Sequence, residues 1–263
     1  MTVVQHDQHT TGVAPINQSQ NPAYAVHHVM KPIKPFVYHD FQDYLASLLS
    51  CADFEMAMDK ACNDLMSICN NPIPEHVTDI WEAEFLRTLK GPSGKSLLIN
   101  RQGKGCYGFT LNIDFFNIEG MKVHGAATSC CIISMVCLNL PHEICYDPEN
   151  IFITSKIPGP QQPSLMDLNH YVRPLINDLV VSWDQGVQYS CTALHPTGWV
   201  TCSAIIATVM DLPAAHHASQ LASHSSHFYC SACQCLHLST IERTDHEHWV
   251  MCVAKEIQCN ANR

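Results

Sequence analysis

YGFTLNIDFFN, residues 107–117, reads as a short apolar strand that closes on a carboxylate, Asp114. A second unit of the same kind, SAIIATVMDLPAA at residues 203–215, closes on Asp211. Two carboxylates at the ends of two strands are a donor set that can hold a divalent metal over a phosphodiester. A thiol cluster follows, Cys230, Cys233, Cys235 and His237, and it is suited to a small zinc site.

The chain has 263 residues, enough for one large domain or two small ones. Hydrophobic residues make up 46% and charged residues only 14%, which excludes a wholly disordered chain. The net charge of −10 gives no overall basic footprint for nucleic acid, although metal-dependent nuclease sites are themselves acidic. There are 15 cysteines. The first twenty residues, MTVVQHDQHTTGVAPINQSQ, lack the apolar core of a signal peptide, so the thiols are expected free or metal-bound rather than paired in disulfides. The longest apolar run, residues 130–140, falls short of the about 20 residues that span a bilayer. The expectation is a soluble, intracellular chain with no membrane partner.

Residues 1–34 are rich in Gln, His, Asn and Pro and read as a disordered leader. Residues 35–96 read as a helical module. Phe41, Tyr44, Leu45, Leu48 and Leu49 share one helical face, with Asp40 as N-cap. A second helix over 56–68 turns Met58, Cys62, Leu65 and Met66 inward. A third over 75–89 does the same with Ile80, Trp81, Phe85 and Leu89. Such a module is either a packing or dimerising appendage or part of a DNA-contacting region. GPSGKS at 91–96 is a turn, because a phosphate-binding loop needs a Gly where Leu89 stands.

Residues 97–223 carry strands over 107–114, 128–138 and 150–156, the last closed by the turn IPGPQQP. Ser164 then caps a helix reaching residue 183, with Leu165, Leu168, Tyr171, Val172, Leu175, Leu179 and Val180 on its apolar face and Gly186 as its stop. A strand over 200–210 and a helix from Pro213 follow. Three strands, a helix, a strand and a helix is the order of an RNase H-like mixed sheet. An α/β fold of this kind sets the ends of its first and fourth strands side by side.

Adjacent carboxylates hold Mg²⁺ with waters and phosphate oxygens completing the shell, and two such ions about 4 Å apart serve both oxygens of an in-line displacement. Such sites usually take a third acid. Glu119, Asp147, Asp167, Asp178 and Asp184 fit that role poorly, lying in loops or on a helix whose inward face is apolar. Simpler readings stand beside the metal. Asp114 is a strand-end turn former, and Asp211 an N-cap ahead of Leu212 and Pro213. Cys230 and Cys233 form half of a tetrahedral zinc site, with Cys235 or His237 as a third ligand and His246 or His248 as a further candidate. A redox-active dithiol or buried thiols are the alternatives.

The chain resembles the Tnp2 family of transposases, encoded by CACTA-type DNA transposons and abundant in mushroom-forming fungi. The resemblance is carried by KPFVYHDFQDYLASLL, DIWEAEFL, FTLNIDFFNIEGM, SCCIISMVCLNLP, PENIFITSKIPGPQQPSL, LNHYVRPLINDLVVSW, DLPAA and SHFYCSACQCLH, across residues 31–250. It implies an RNase H-like DDE/D domain that cuts and joins DNA using Mg²⁺ or Mn²⁺. Asp114 falls on the first catalytic acid and Asp211 on the second. Cys230 and Cys233 fall on a CxxC within a Zn²⁺-binding insertion, placed here at 224–263. DNA at transposon ends and a nuclear location are implied with it, while self-association is an expectation from the helical module read as a dimerising appendage.

Full-length relatives carry their third acid beyond the point matching Arg263. The resemblance therefore implies a C-terminally incomplete core and a fragment inactive alone. Relatives also tend to have Arg where this chain has Cys106, Cys145, Cys191, Cys202 and His216. That suggests a decayed copy that has lost phosphate-binding cations. The alternatives to a transposase fragment are a non-enzymatic DNA- or transposase-binding zinc protein and a pseudogene product.

Overall fold

The computed structural model describes residues 2–4, 36–98, 101–117 and 129–219. Among them are seven strands: β1 (Thr2–Val4), β2 (Phe36–Tyr38), β3 (Gly105–Asn117), β4 (Ser129–Cys137), β5 (Phe152–Ile157), β6 (Val187–Tyr189) and β7 (Trp199–Thr208). The helices are α1 (Phe41–Leu49), α2 (Ala52–Cys69), α3 (Glu84–Thr88), α4 (His142–Cys145), α5 (Leu165–Asp184) and α6 (Leu212–Ala218), with a 3-10 turn at Ile80–Glu82. This is a mixed α/β fold. No helix among the described residues is long and apolar enough to cross a membrane.

One sheet takes the strands in the order β1-β2-β5-β4-β3-β7-β6. β3, β4 and β5 form an antiparallel meander. The chain then crosses through α5 and returns as β7, parallel to β3. A parallel neighbour needs such a crossover, since a hairpin cannot supply it. Residues 2–4, expected within a disordered leader, instead pair with β2. The rest of that leader lies outside the described residues.

β3 decides what each face of the sheet touches. Tyr107, Phe109, Leu111 and Ile113 point to one face and join a buried cluster with Phe41, Leu45 and Leu49 of α1 and Leu168, Leu175 and Leu179 of α5. The Phe41 and Phe109 rings meet edge to face, centroids 5.1 Å apart. Cys106 lies on the other face, in a second cluster with Cys202 and Ala204 of β7 and Leu65, Leu86 and Leu98. Helices α1 and α2 thus bury their apolar stripes in the same cores as the sheet.

The expected caps are present. Asp40 accepts the Gln42 amide at 2.7 Å and Ser164 accepts that of Asp167 at 3.2 Å. Gly186 ends the α5 region with φ +78°. The helix expected over 75–89 is not continuous. Asp79 and Glu82 form a capping box that closes the 3-10 turn, and Ala83 is extended before α3 begins. Leu86 is therefore the buried residue and Phe85 faces solvent, reversing that part of the expected pattern. Val180, assigned to the apolar face of α5, is exposed as well. α2 starts earlier than expected, at Ala52, and buries Glu55. β6 and α4 carried no sequence signal, because elements of three and four residues are too short for a periodicity.

The alternation on β3 makes a direct prediction for chemical denaturation. Phe109→Ala removes a fully buried ring and should cost about 3–5 kcal/mol, whereas Phe116→Ala, on the exposed end of the same strand, should stay within about 0.5 kcal/mol.

Candidate metal centre at the ends of two parallel strands

Asp114 was expected to end its strand, but β3 continues past it. Phe115, Phe116 and Asn117 remain paired with β4, and Asp114 itself lies opposite Ile132. On its other side the ladder is shorter. The last registered pair between β3 and β7 is Leu111 with Thr208, and the Val209 amide then bonds the Leu111 carbonyl at 2.9 Å. Asp114 and Asp211 each stand three residues beyond that pair. Both are exposed, at the same end of two adjacent parallel strands.

Asp211 is the N-cap of α6, as its simpler reading required. Its Oδ1 accepts the Ala214 amide at 2.7 Å, while Oδ2 makes no hydrogen bond among the described residues. The Phe115 ring meets the His217 ring at 5.2 Å, which packs α6 against the end of β3. Burial pushes the His217 imidazole below its usual value, and a hydrogen bond with the Pro163 backbone partly offsets this. Burial first, then the negative charge of Asp114, raises the Cys131 thiol to about 12.

The donor set suits a hard divalent cation. The two oxygen-bearing groups are exposed, and neither has a Lys, Arg or His ion-pair partner among the described residues. Among the described residues no group of three or more His, Cys, Asp or Glu is placed to hold a metal ion. Asp167 and Asp178 are engaged elsewhere, by Ser164 Oγ and Tyr38 Oη respectively. The predicted zinc ligands Cys230, Cys233, Cys235 and His237, with His246 and His248, lie outside the described residues, as does Glu119.

The positions read as lost surface arginines are mostly interior. Cys106, Cys145, Cys202 and His216 are buried and only Cys191 is exposed, so these positions do not outline a cationic surface. The sequence reading also missed a polar network at the opposite end of β3 and β7. Buried Glu55 accepts Thr192 Oγ1 at 2.6 Å and the Leu194 amide at 2.7 Å. Asp59, one turn on, pairs with Arg101 at 3.0 Å. His195 Nε2 lies 3.8 Å from Glu55 and 3.7 Å from Asp59, its ring stacked on Trp199. The signal was two acids spaced i, i+4 beside Met58 and Cys62 on the inner stripe of α2.

A sequence model of the family described as "Transposase family tnp2" matches residues 109–258. The chain belongs to this family. The match begins inside β3 and takes in both Asp114 and Asp211. A comparison with curated proteins found no match. For this tnp2 member, membership makes a transposase-related function and contact with DNA the frame in which the carboxylate pair is read.

The cap predicts how Asp211 tolerates change. Asn is as good an N-cap as Asp, so Asp211→Asn should leave unfolding free energy within about 0.5 kcal/mol, while Asp211→Ala should lose about 1 kcal/mol. The depressed His217 sets a pH dependence. The unfolded imidazole binds its proton first, so the stability this residue contributes is complete above about pH 6.5 and is lost as pH falls. Thermal melts should therefore decline less steeply below that pH in His217→Gln than in the unmodified chain.

Proposed function

We propose that the chain carries part of a DNA strand-cleavage and strand-transfer site, with Asp114 and Asp211 as ligands of Mg²⁺ or Mn²⁺ on an RNase H-like sheet. The observation that supports this reading is the parallel pairing of β3 with β7, which brings the two exposed carboxylates to one end of neighbouring strands. The strand order agrees with it. Three antiparallel strands precede a crossover helix and a strand parallel to the first. The bound cation supplies Lewis-acid stabilisation at the reacting phosphate.

The protein's own part is positional. Asp114 offers a carboxylate from a strand that β4 holds in register as far as Asn117. Asp211 is oriented by its cap, one oxygen fixed by Ala214 and the other left to bind. Both groups are exposed. The substrate would be transposon-end DNA and the place of action the nucleus, with the cluster at 230–237 folding around zinc.

A second reading has its own support. With no third ligand beside the pair among the described residues, the chain could bind metal and DNA without cutting. Calorimetric titration with Mn²⁺, combined with a nicking assay on transposon-end duplexes, separates the two. The cleavage reading expects Mn²⁺ binding that Asp114→Asn and Asp211→Asn each weaken by more than about tenfold, together with nicking that both variants abolish. Binding without nicking favours the second reading. Mn²⁺ affinity unchanged in both variants rejects the carboxylate pair as a metal site.

A further inference from the structure

Cys106 and Cys202 face each other in the parallel ladder of β3 and β7, at the end of the strands away from Asp114 and Asp211. Both are buried, 2% and 8% exposed, and they share one apolar cluster between the strands. We propose that this pair is an oxidation site, at which a peroxide converts the two thiols into a reversible cross-strand disulfide.

Geometry favours the pairing. Neighbouring strands lie about 4.8 Å apart, inside the Cα separation of about 4.4–6.8 Å that a disulfide tolerates. The Cβ atoms must close to about 3.8 Å, so the bond draws β3 and β7 together and stores strain. Strained disulfides are the readily reduced ones, which suits a reversible modification rather than a structural staple.

Chemistry separates this pair from the other buried thiols. The neighbouring Cys106 and the positive charge of Lys104 pull the Cys202 thiol below its usual range, while Cys202 and burial push Cys106 above it. Burial instead raises Cys62 to about 11 and Cys137 to about 12, leaving them inert. Cys62 is also held by its own bonds. Its Sγ donates to the Cys106 carbonyl at 3.0 Å and receives Asn139 Nδ2 at 3.3 Å. The Cys202 thiolate attacks one peroxide oxygen, the O–O bond breaks, and the departing oxygen takes up a proton to leave as water. The sulfenic acid then receives the Cys106 sulfur, the S–O bond breaks, and a second water carries away the hydroxyl and the Cys106 proton. Two thiols lose two electrons and one peroxide gains them.

The test uses the full reduced chain, without metal or DNA, so its outcome is independent of the proposed cleavage. The chain is treated with hydrogen peroxide, remaining thiols are alkylated under denaturing conditions, and peptides are mapped without reduction. The result expected is a cross-linked peptide joining Cys106 to Cys202 that dithiothreitol removes and that is absent from Cys106→Ala and Cys202→Ala. Recovery of both cysteines alkylated in the unmodified chain, while exposed Cys191 is oxidised, overturns the proposal. So does a cross-link from either residue to Cys62. Because the mapping is made on the unmodified chain, it decides the matter even where a variant fails to fold.

Discussion

Two strands that run side by side in the same direction cannot be joined by a turn, and β3 and β7 are such a pair. The chain must leave the sheet after β5 and come back, and the twenty residues of α5 make that return. Much else follows from this constraint. α5 has to bury Leu168, Leu175 and Leu179 against the sheet to hold the crossover in place. β3 becomes an interior strand, buried along most of its length, with β4 on one edge and β7 on the other. The residues just beyond the paired stretch of each strand emerge at the same end, and those residues are Asp114 and Asp211.

Local preferences agree with the global arrangement along most of this path. The two acids differ in how they are held. Asp114 is a ladder position, fixed by backbone pairing with β4 alone after its other neighbour has ended. Asp211 is a helix cap, fixed by the first turn of α6 and by the contact of His217 with Phe115. A cap and a ligand are compatible uses of one carboxylate, since a single oxygen satisfies the Ala214 amide. Reading Asp211 as a cap and reading it as a site residue were therefore never exclusive.

The fold was legible wherever a segment was long and strongly patterned. The apolar run of β3, the 3.6-residue stripe of α5 from Leu168 to Leu179, and the caps Asp40 and Ser164 all have local physical causes that the sequence displays. Legibility failed where tertiary contacts or short elements decide. Nothing in VQY announces β6, which exists because β7 offers it an edge. Leu86 rather than Phe85 faces inward because a capping box at Asp79 reset the phase of the helix. The dyad of acids was visible as a pattern, and its adjacency was expected from the strand order that the parallel register of β3 and β7 bears out. The Glu55–Asp59–His195 network was hidden because His195 stands far along the chain from the two acids and meets them only as the chain returns toward β7. The burial of Cys106 and Cys202 changes what they mean. Taken as lost surface cations they were gaps in a DNA-binding face. In the folded protein they pack between strands and help hold β3 to β7.

On the proposed reading, β3 and β7 bring Asp114 and Asp211 close enough to share a divalent cation. Anomalous diffraction from a crystal soaked in Mn²⁺ addresses it most directly, because it locates the ion without reference to activity. The account predicts an anomalous peak at the shared end of the two strands, with a carboxylate oxygen from each aspartate in the metal's coordination shell. Manganese ordered elsewhere, with the two carboxylates free of metal, would contradict it.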